Sequence, residues 1–240
     1  MEIFFWPLMD LLVWGFITVY FQRSNMDLPR FVTFFLGALI FWDILYRAQQ
    51  GISISFLEEV WSKNLINLFV SPILPCEFLA ALMTISVAKM LTAGAASALL
   101  GWAFYSFNIF LVGISLIPFI FNLLLMGWAI GIVSMSAILR YGQEAEVLAW
   151  GLGFLIQPFS AVFYPVSVLP AWVQPISRMI PASHIFEGMR AVLETGMIPY
   201  ESLIRATVLN GVYLTLAILF FYYNLRVVKE KGLLIHRGAE

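Results

Sequence analysis

Charge is scarce in this chain. Of its 240 residues only 11% are Asp, Glu, Lys or Arg, where an ordinary soluble domain carries roughly 25%. That shortage excludes a sizeable water-exposed domain. The net charge of −1 and pI near 6.1 leave no basic surface that would call for nucleic acid. Cysteine is nearly absent: Cys76 stands alone, which excludes an internal disulfide and a thiolate metal cluster. The only histidines, His184 and His236, are too far apart in sequence for a His-Glu-x-x-His zinc site, and no nucleophile elbow occurs. No Gly-x-x-x-x-Gly-Lys-Ser/Thr phosphate loop is present. The chain is therefore expected to be no enzyme and to bind no cofactor or metal itself. Any nucleotide-driven work would need another chain.

What the sequence does have is apolar length. It is 62% hydrophobic with a mean hydropathy of +0.92. A spanning helix needs roughly 20 mostly apolar residues, and six candidates are found, at about 3–21, 31–46, 78–100, 109–139, 147–164 and 203–225. The first is too long for the core of a cleaved leader and lacks its basic start, so it is expected to be retained. The third is rich in small residues, which let helices approach closely. Gly127 and Gly131 in the fourth form a Gly-x-x-x-Gly spacing that suits either a contact between copies or packing within the fold. The expected class is an all-α membrane protein, residues 1–240 forming a single domain of six transmembrane helices.

Loop charge sets the expected orientation. With the N-terminus inside, the inner side holds Arg47, Lys63, Arg140, Arg226, Lys229, Lys231 and Arg237, against Arg23, Arg30, Arg178, Arg190 and Arg205 outside. The excess of Lys and Arg inside places both termini in the cytoplasm of a multi-pass plasma (inner) membrane protein.

The chain is organised around residues 55–72. Leu57, Val60, Trp61, Leu65 and Leu68 recur at helical spacing on one face, with Glu58, Glu59, Ser62, Lys63 and Asn67 on the other. Ser55 and Glu58 read as a capping box, Glu59 and Lys63 as an i,i+4 pair, and Pro72 as the stop. A short amphipathic helix here would lie at the cytoplasmic face, either as a handle for a partner or resting in the lipid interface. Residues 165–200 carry Pro165, Pro170, Pro175 and Pro181 yet are apolar. Two short helices dipping back into the outer membrane half suit such a composition. In the second of them Ser183 is a candidate N-cap and Gly196 a candidate end, while Glu187 and Arg190 could line an exit or neutralise each other. Asp10, Asp43 and Lys89 fall in or near spans, where a charge costs at least a few kcal/mol. They are candidates for coupling to ions, or for a structural bridge between an aspartate and Lys89.

These features together resemble the ABC-2 type permeases, the membrane subunits of type V ABC exporters. The resemblance is carried by FLEEVWSKNLINLFVSPILPCEF at 56–78, by PVSVLPAWVQPISRMIPASHIFEGMRAVLETG at 165–196, and by FWPLMDLLVWGF at 5–16. It implies a coupling helix between the second and third spans (about 55–70) that docks a cytoplasmic ABC ATPase, with Phe56, Leu57, Glu58, Glu59, Trp61, Lys63 and Asn64 as coupling residues. It implies a re-entrant helical hairpin between the fifth and sixth spans, with Pro170, Trp172, Pro181, Glu187 and Arg190 as an outer gate. It also implies a second permease copy, contact with membrane lipid, and ATP and Mg on the partner ATPase alone. Cargo in this family includes drugs, lipid-linked glycans and lipids. An ion-coupled secondary transporter and a non-transporting scaffold stand as alternatives.

Overall fold

The computed structural model describes residues 29–105 and 117–232. Among them every regular element is helical: α1 Pro29–Trp61, α2 Leu65–Val70, α3 Pro75–Tyr105, α4 Ile117–Tyr141, α5 Val147–Ile156, α6 Gln174–Met179, α7 Pro181–Thr195 and α8 Tyr200–Glu230. Single 3-10 turns lie at Gly142–Ala145, Gln157–Phe159 and Val166–Val168. Three stretches, Pro75–Leu100, Ile117–Ala145 and Tyr200–Glu230, are long and apolar enough to cross a membrane. The expected first span with Asp10, and His236, lie outside the described residues.

The long helices stand side by side in the order α3, α1, α4, α8. α4 is central and buried on almost every side, from Phe119 to Leu139. α8 turns Ala206, Ala217, Phe221 and Leu225 inward and leaves Ile204, Val208, Val212, Leu216 and Leu219 exposed. An outward face so largely apolar is suited to lipid rather than water.

α1 is gripped from three sides at one level. A Cβ added to Gly127 of α4 would stand 2.6 Å from Ala48 Cβ and 2.7 Å from the Leu45 carbonyl oxygen. One added to Gly131 would stand 2.8 Å from the Gln49 carbonyl oxygen. The Gly-x-x-x-Gly pair therefore serves packing within the fold. On a neighbouring side Gly51 meets the Ser86 backbone of α3, where an added Cβ would lie 2.5 Å from Ser86 Cα. Ser86 Oγ donates to the Ala48 carbonyl at 2.8 Å and accepts from Trp128 Nε1 at 3.1 Å, tying α3, α1 and α4 together. Gln49 Nε2 donates to the Ala149 carbonyl of α5 at 2.8 Å, and Gly153 sits against the Tyr46 ring. Such interhelical bonds contribute about 0.6 kcal/mol each on average in membranes. Close backbone packing supplies the rest.

This grip overturns the expected break between the second span and the amphipathic helix. α1 is one helix of 33 residues, about 50 Å long, so Ser55 is not a cap. It lies in mid-helix, buried, and its Oγ accepts from Lys89 Nζ at 2.9 Å. The run Arg47, Gln49, Gln50, Gly51, Ser53, Ser55 looks like a loop in one dimension; in the fold much of it is buried against α3, α4 and α5. The fifth expected span is also corrected. Its helix, Val147–Ile156, is 10 residues, about 15 Å, and gives way to a 3-10 turn at Gln157–Phe159. Of the expected fourth span, residues 109–116 lie outside the described residues, and the described part of its helix runs from Ile117 to Tyr141.

Gly127→Ala and Gly131→Ala should each push α1 and α4 apart. The expected cost is on the order of 1–3 kcal/mol of overpacking, which lowers the melting temperature of the purified protein by about 2–4 °C per kcal/mol. Gly211→Ala in α8, where an added Cβ meets nothing within 4 Å, should melt unchanged or slightly higher. Equal melting of all three variants would remove close approach as the reason for the glycines.

Candidate functional site

The expected docking residues form a corner at the carboxyl end of α1. The helix closes through Ser62 N to Glu58 O, Lys63 N to Val60 O and Asn64 N to Glu59 O, each 3.0 Å. Lys63 takes a left-handed φ of 56°, which reverses the chain into α2. Asn64 Nδ2 donates to Glu59 Oε2 at 2.7 Å and its Oδ1 accepts from Asn67 Nδ2 at 3.1 Å. Glu59 is thus spent on the turn, and the expected Glu59–Lys63 pair is replaced by this bond because Lys63 has left the helix. Below the corner Phe56, Leu57, Leu65 and Phe78 are buried, with the Phe78 ring 6.2 Å from that of Phe56 and 6.0 Å from that of Phe69. The expected seven residues therefore divide. Phe56 and Leu57 hold the corner in place, Glu59 and Asn64 set its turn, and Glu58, Trp61 and Lys63 are exposed. Trp61 was expected on the apolar face with Leu57. It is instead 47% exposed.

Two more segments reach the corner, and nothing local in the sequence announces either. Trp61 Nε1 donates to Glu146 Oε2 at 3.4 Å, bringing in the turn between α4 and α5. Lys229 Nζ of α8 stands 5.9 Å over the Phe69 ring. Nearby, Arg140 at the end of α4 donates to Asn224 Oδ1 at 3.3 Å and lies against the rings of Tyr141 and Tyr223. The ends of α1, α4 and α8 and the whole of α2 thus share one end of the bundle.

The residues expected at the outer gate lie at the other end, near the start of α8. Arg190 of α7 donates through Nη2 to the carbonyls of Ala161, Val162 (3.2 Å) and Tyr164 (2.8 Å), and its Nη1 lies 3.1 Å from Glu187 Oε1. Glu187 Oε1 also accepts from Val166 N at 2.7 Å. These charge-assisted bonds make the pair a clamp on residues 161–166. Pro181 opens α7 and is buried, whereas Pro170 and Trp172 sit exposed on the turn before α6. Ser183, expected to cap α7, bonds back to the Ser177 and Ile180 carbonyls instead, because Pro181 starts the helix earlier. Gly196 ends α7 with φ 73°, as expected. Between the two ends, Asp43 pairs with Arg47 at 3.1 Å rather than with Lys89. Among the described residues no group of three His, Cys, Asp or Glu side chains is placed to hold a metal.

No protein-family model matches the chain. Over an aligned stretch of 175 residues, 70% of the chain, it is 27% identical to ABC transporter G family member 20 of Dictyostelium discoideum. The chain spans 23% of that relative's length. With three apolar helices of spanning length, the chain is a multi-pass membrane protein similar over most of its length to part of an ABC transporter.

Lys63 holds a conformation that costs a non-glycine residue about 1–2 kcal/mol. Lys63→Gly should leave the melting temperature unchanged or raise it, and Lys63→Val should lower it. The reverse order would show that the corner does not depend on this turn.

Proposed function

We propose that this chain is the membrane portion of an ABC-2 type exporter, with six transmembrane helices once residues 3–21, α1 and the short α5 are counted with the three stretches of spanning length. The likeness to an ABC transporter across 175 residues carries the reading. The corner supports it, because an exposed tryptophan and two charged side chains on a rigid rod are what a cytoplasmic motor could grip. An ABC ATPase, holding ATP and Mg, would dock on Glu58, Trp61 and Lys63, with Glu146 beside them. α1 would carry its movement into the bundle, where the same rod is locked to α3, α4 and α5. Two copies of the permease would enclose the path for an amphipathic, lipid-like, drug or glycan cargo, and the α6–α7 region would close it on the outside. Both termini would lie in the cytoplasm of the plasma membrane. Among the described residues the corner's end holds Lys63, Arg140, Arg226, Lys229 and Lys231, against Arg30, Arg178, Arg190 and Arg205 at the other, in keeping with that orientation.

Trp61→Ala should weaken ATPase docking by about thirtyfold, the effect of losing an aromatic anchor of about 2 kcal/mol, and Glu59→Ala should uncouple ATP hydrolysis from transport. Both variants should still insert. Normal coupled transport in both would end the docking role. In a Cys76→Ser background, Arg178→Cys should react with an impermeant thiol reagent from outside and Glu144→Cys only from the cytosol. The opposite pattern would invert the orientation.

A further inference from the structure

Lys89 lies near the middle of the spanning stretch Pro75–Leu100, a place where an uncompensated charge is costly. The ion pairs among the described residues use Arg47, Arg190, Arg205 and Arg226, and none reaches Lys89. Its Nζ donates to a neutral partner, Ser55 Oγ, at 2.9 Å. Ser55 is buried at 8% exposure. Its own hydroxyl hydrogen has no acceptor among the described residues, so the pair presents a cation and a spare donor together.

The surroundings say what could use them. On α3, Ser86, Met90 and Ala93 are buried toward α1, whereas Ile85, Ala88 and Thr92 are exposed. Lys89 stands on the border between these faces, where the α1–α3 seam opens outward. Helical side chains lean toward the start of their own helix, which for α3 is the end shared with the corner. Ser55 lies only about 9 Å along α1 from its end at Trp61. Lys89 therefore snorkels, carrying its charge toward the head-group level of that side. Away from the corner, the side of α3 on which Lys89 stands continues with Ala96, Leu99 and Ala103, half-buried or exposed. A cation with a spare hydroxyl donor at one end of an apolar strip complements an anionic head group and its acyl chain.

We propose that the α1–α3 seam binds an anionic phospholipid of the surrounding bilayer, with its phosphate on Lys89 Nζ and Ser55 Oγ and a chain along Ala96 and Leu99. The proposal rests on α3 crossing the membrane and not on coupling to a motor. The test uses the full chain in phosphatidylcholine nanodiscs without any ATPase, titrated with phosphatidylglycerol, with bound lipid read by native mass spectrometry. The wild type should prefer phosphatidylglycerol. Lys89→Gln should lose about fivefold of that preference, the worth of one lysine at an anionic head group. Lys89→Arg should keep the preference, and Ser55→Ala should keep the charge and lose part of it. Equal binding of the two lipids by the wild type, or wild-type preference in Lys89→Gln, overturns the proposal. If Lys89→Gln fails to fold, Ser55→Ala decides, and an unchanged preference there overturns it. Displacement of the lipid by millimolar inorganic phosphate would mark a site for free anions and likewise overturn it. A chain that never enters the nanodiscs refutes the membrane placement itself, a result distinct from any of these.

Discussion

The backbone of α1 touches the backbones around it, and most of the arrangement depends on that contact. At Gly127 and Gly131 the α4 backbone comes within a methyl group's width of Leu45, Ala48 and Gln49. At Gly51 the same is true of α3. In a membrane the hydrophobic effect does little to press one helix on another, since lipid is as apolar as leucine. Dispersion at short range and a few hydrogen bonds must do so instead. Small residues are the means of getting close enough, and the Ser86 and Gln49 bonds fix the register once the helices have met.

The same contact explains how α1 can hold so many polar side chains. Gln49, Ser53 and Ser55 are buried, and Asp43 and Arg47 are largely so. Each finds a partner in α1 itself or in α3 or α5, which removes most of the desolvation penalty that a lipid-exposed helix of this composition would carry. α5 illustrates the reverse. It buries only Ala149 and Gly153 and is held through its backbone by Gln49, Ser53 and Tyr46. It is the more lightly held neighbour of a rigid rod, and it leads directly into the segment that Arg190 clamps. The corner and the clamp are thus joined through α1 and α5 along the length of the bundle.

Several features could be read in one dimension because they depend on near neighbours. The helices α3, α4 and α8 were visible as apolar runs, since their lengths are set by membrane thickness. The end of α7 at Gly196 was visible because left-handed helix ends select glycine. The pairing of Glu187 with Arg190 follows from helical spacing. Other features misled for an equally definite reason. Ser55 and Glu58 have the spacing of a cap, but a cap requires a helix to start there, and α1 passes straight through. Asp43 found Arg47 one turn away before it could reach another helix. Trp61 has the spacing of Leu57 and Val60, but Glu146, 85 residues further on, holds its indole at the surface.

Sequence alone determined what kind of solvent this chain lives in, where α3, α4 and α8 run and which end of it is more basic, because composition and local periodicity respond to the bilayer residue by residue. It also singled out residues 55–72 as a stretch apart from the spans, but read them as one helix running to Pro72, where the chain in fact turns at 62–64. Only the tertiary structure decided that the helix runs through Ser55 and turns at Ser62, that Gly127 and Gly131 face inward, and that Lys89 is left with a hydroxyl for company. Those outcomes depend on which backbones come within a few ångströms of one another, and such contacts are made between residues that the linear order keeps far apart.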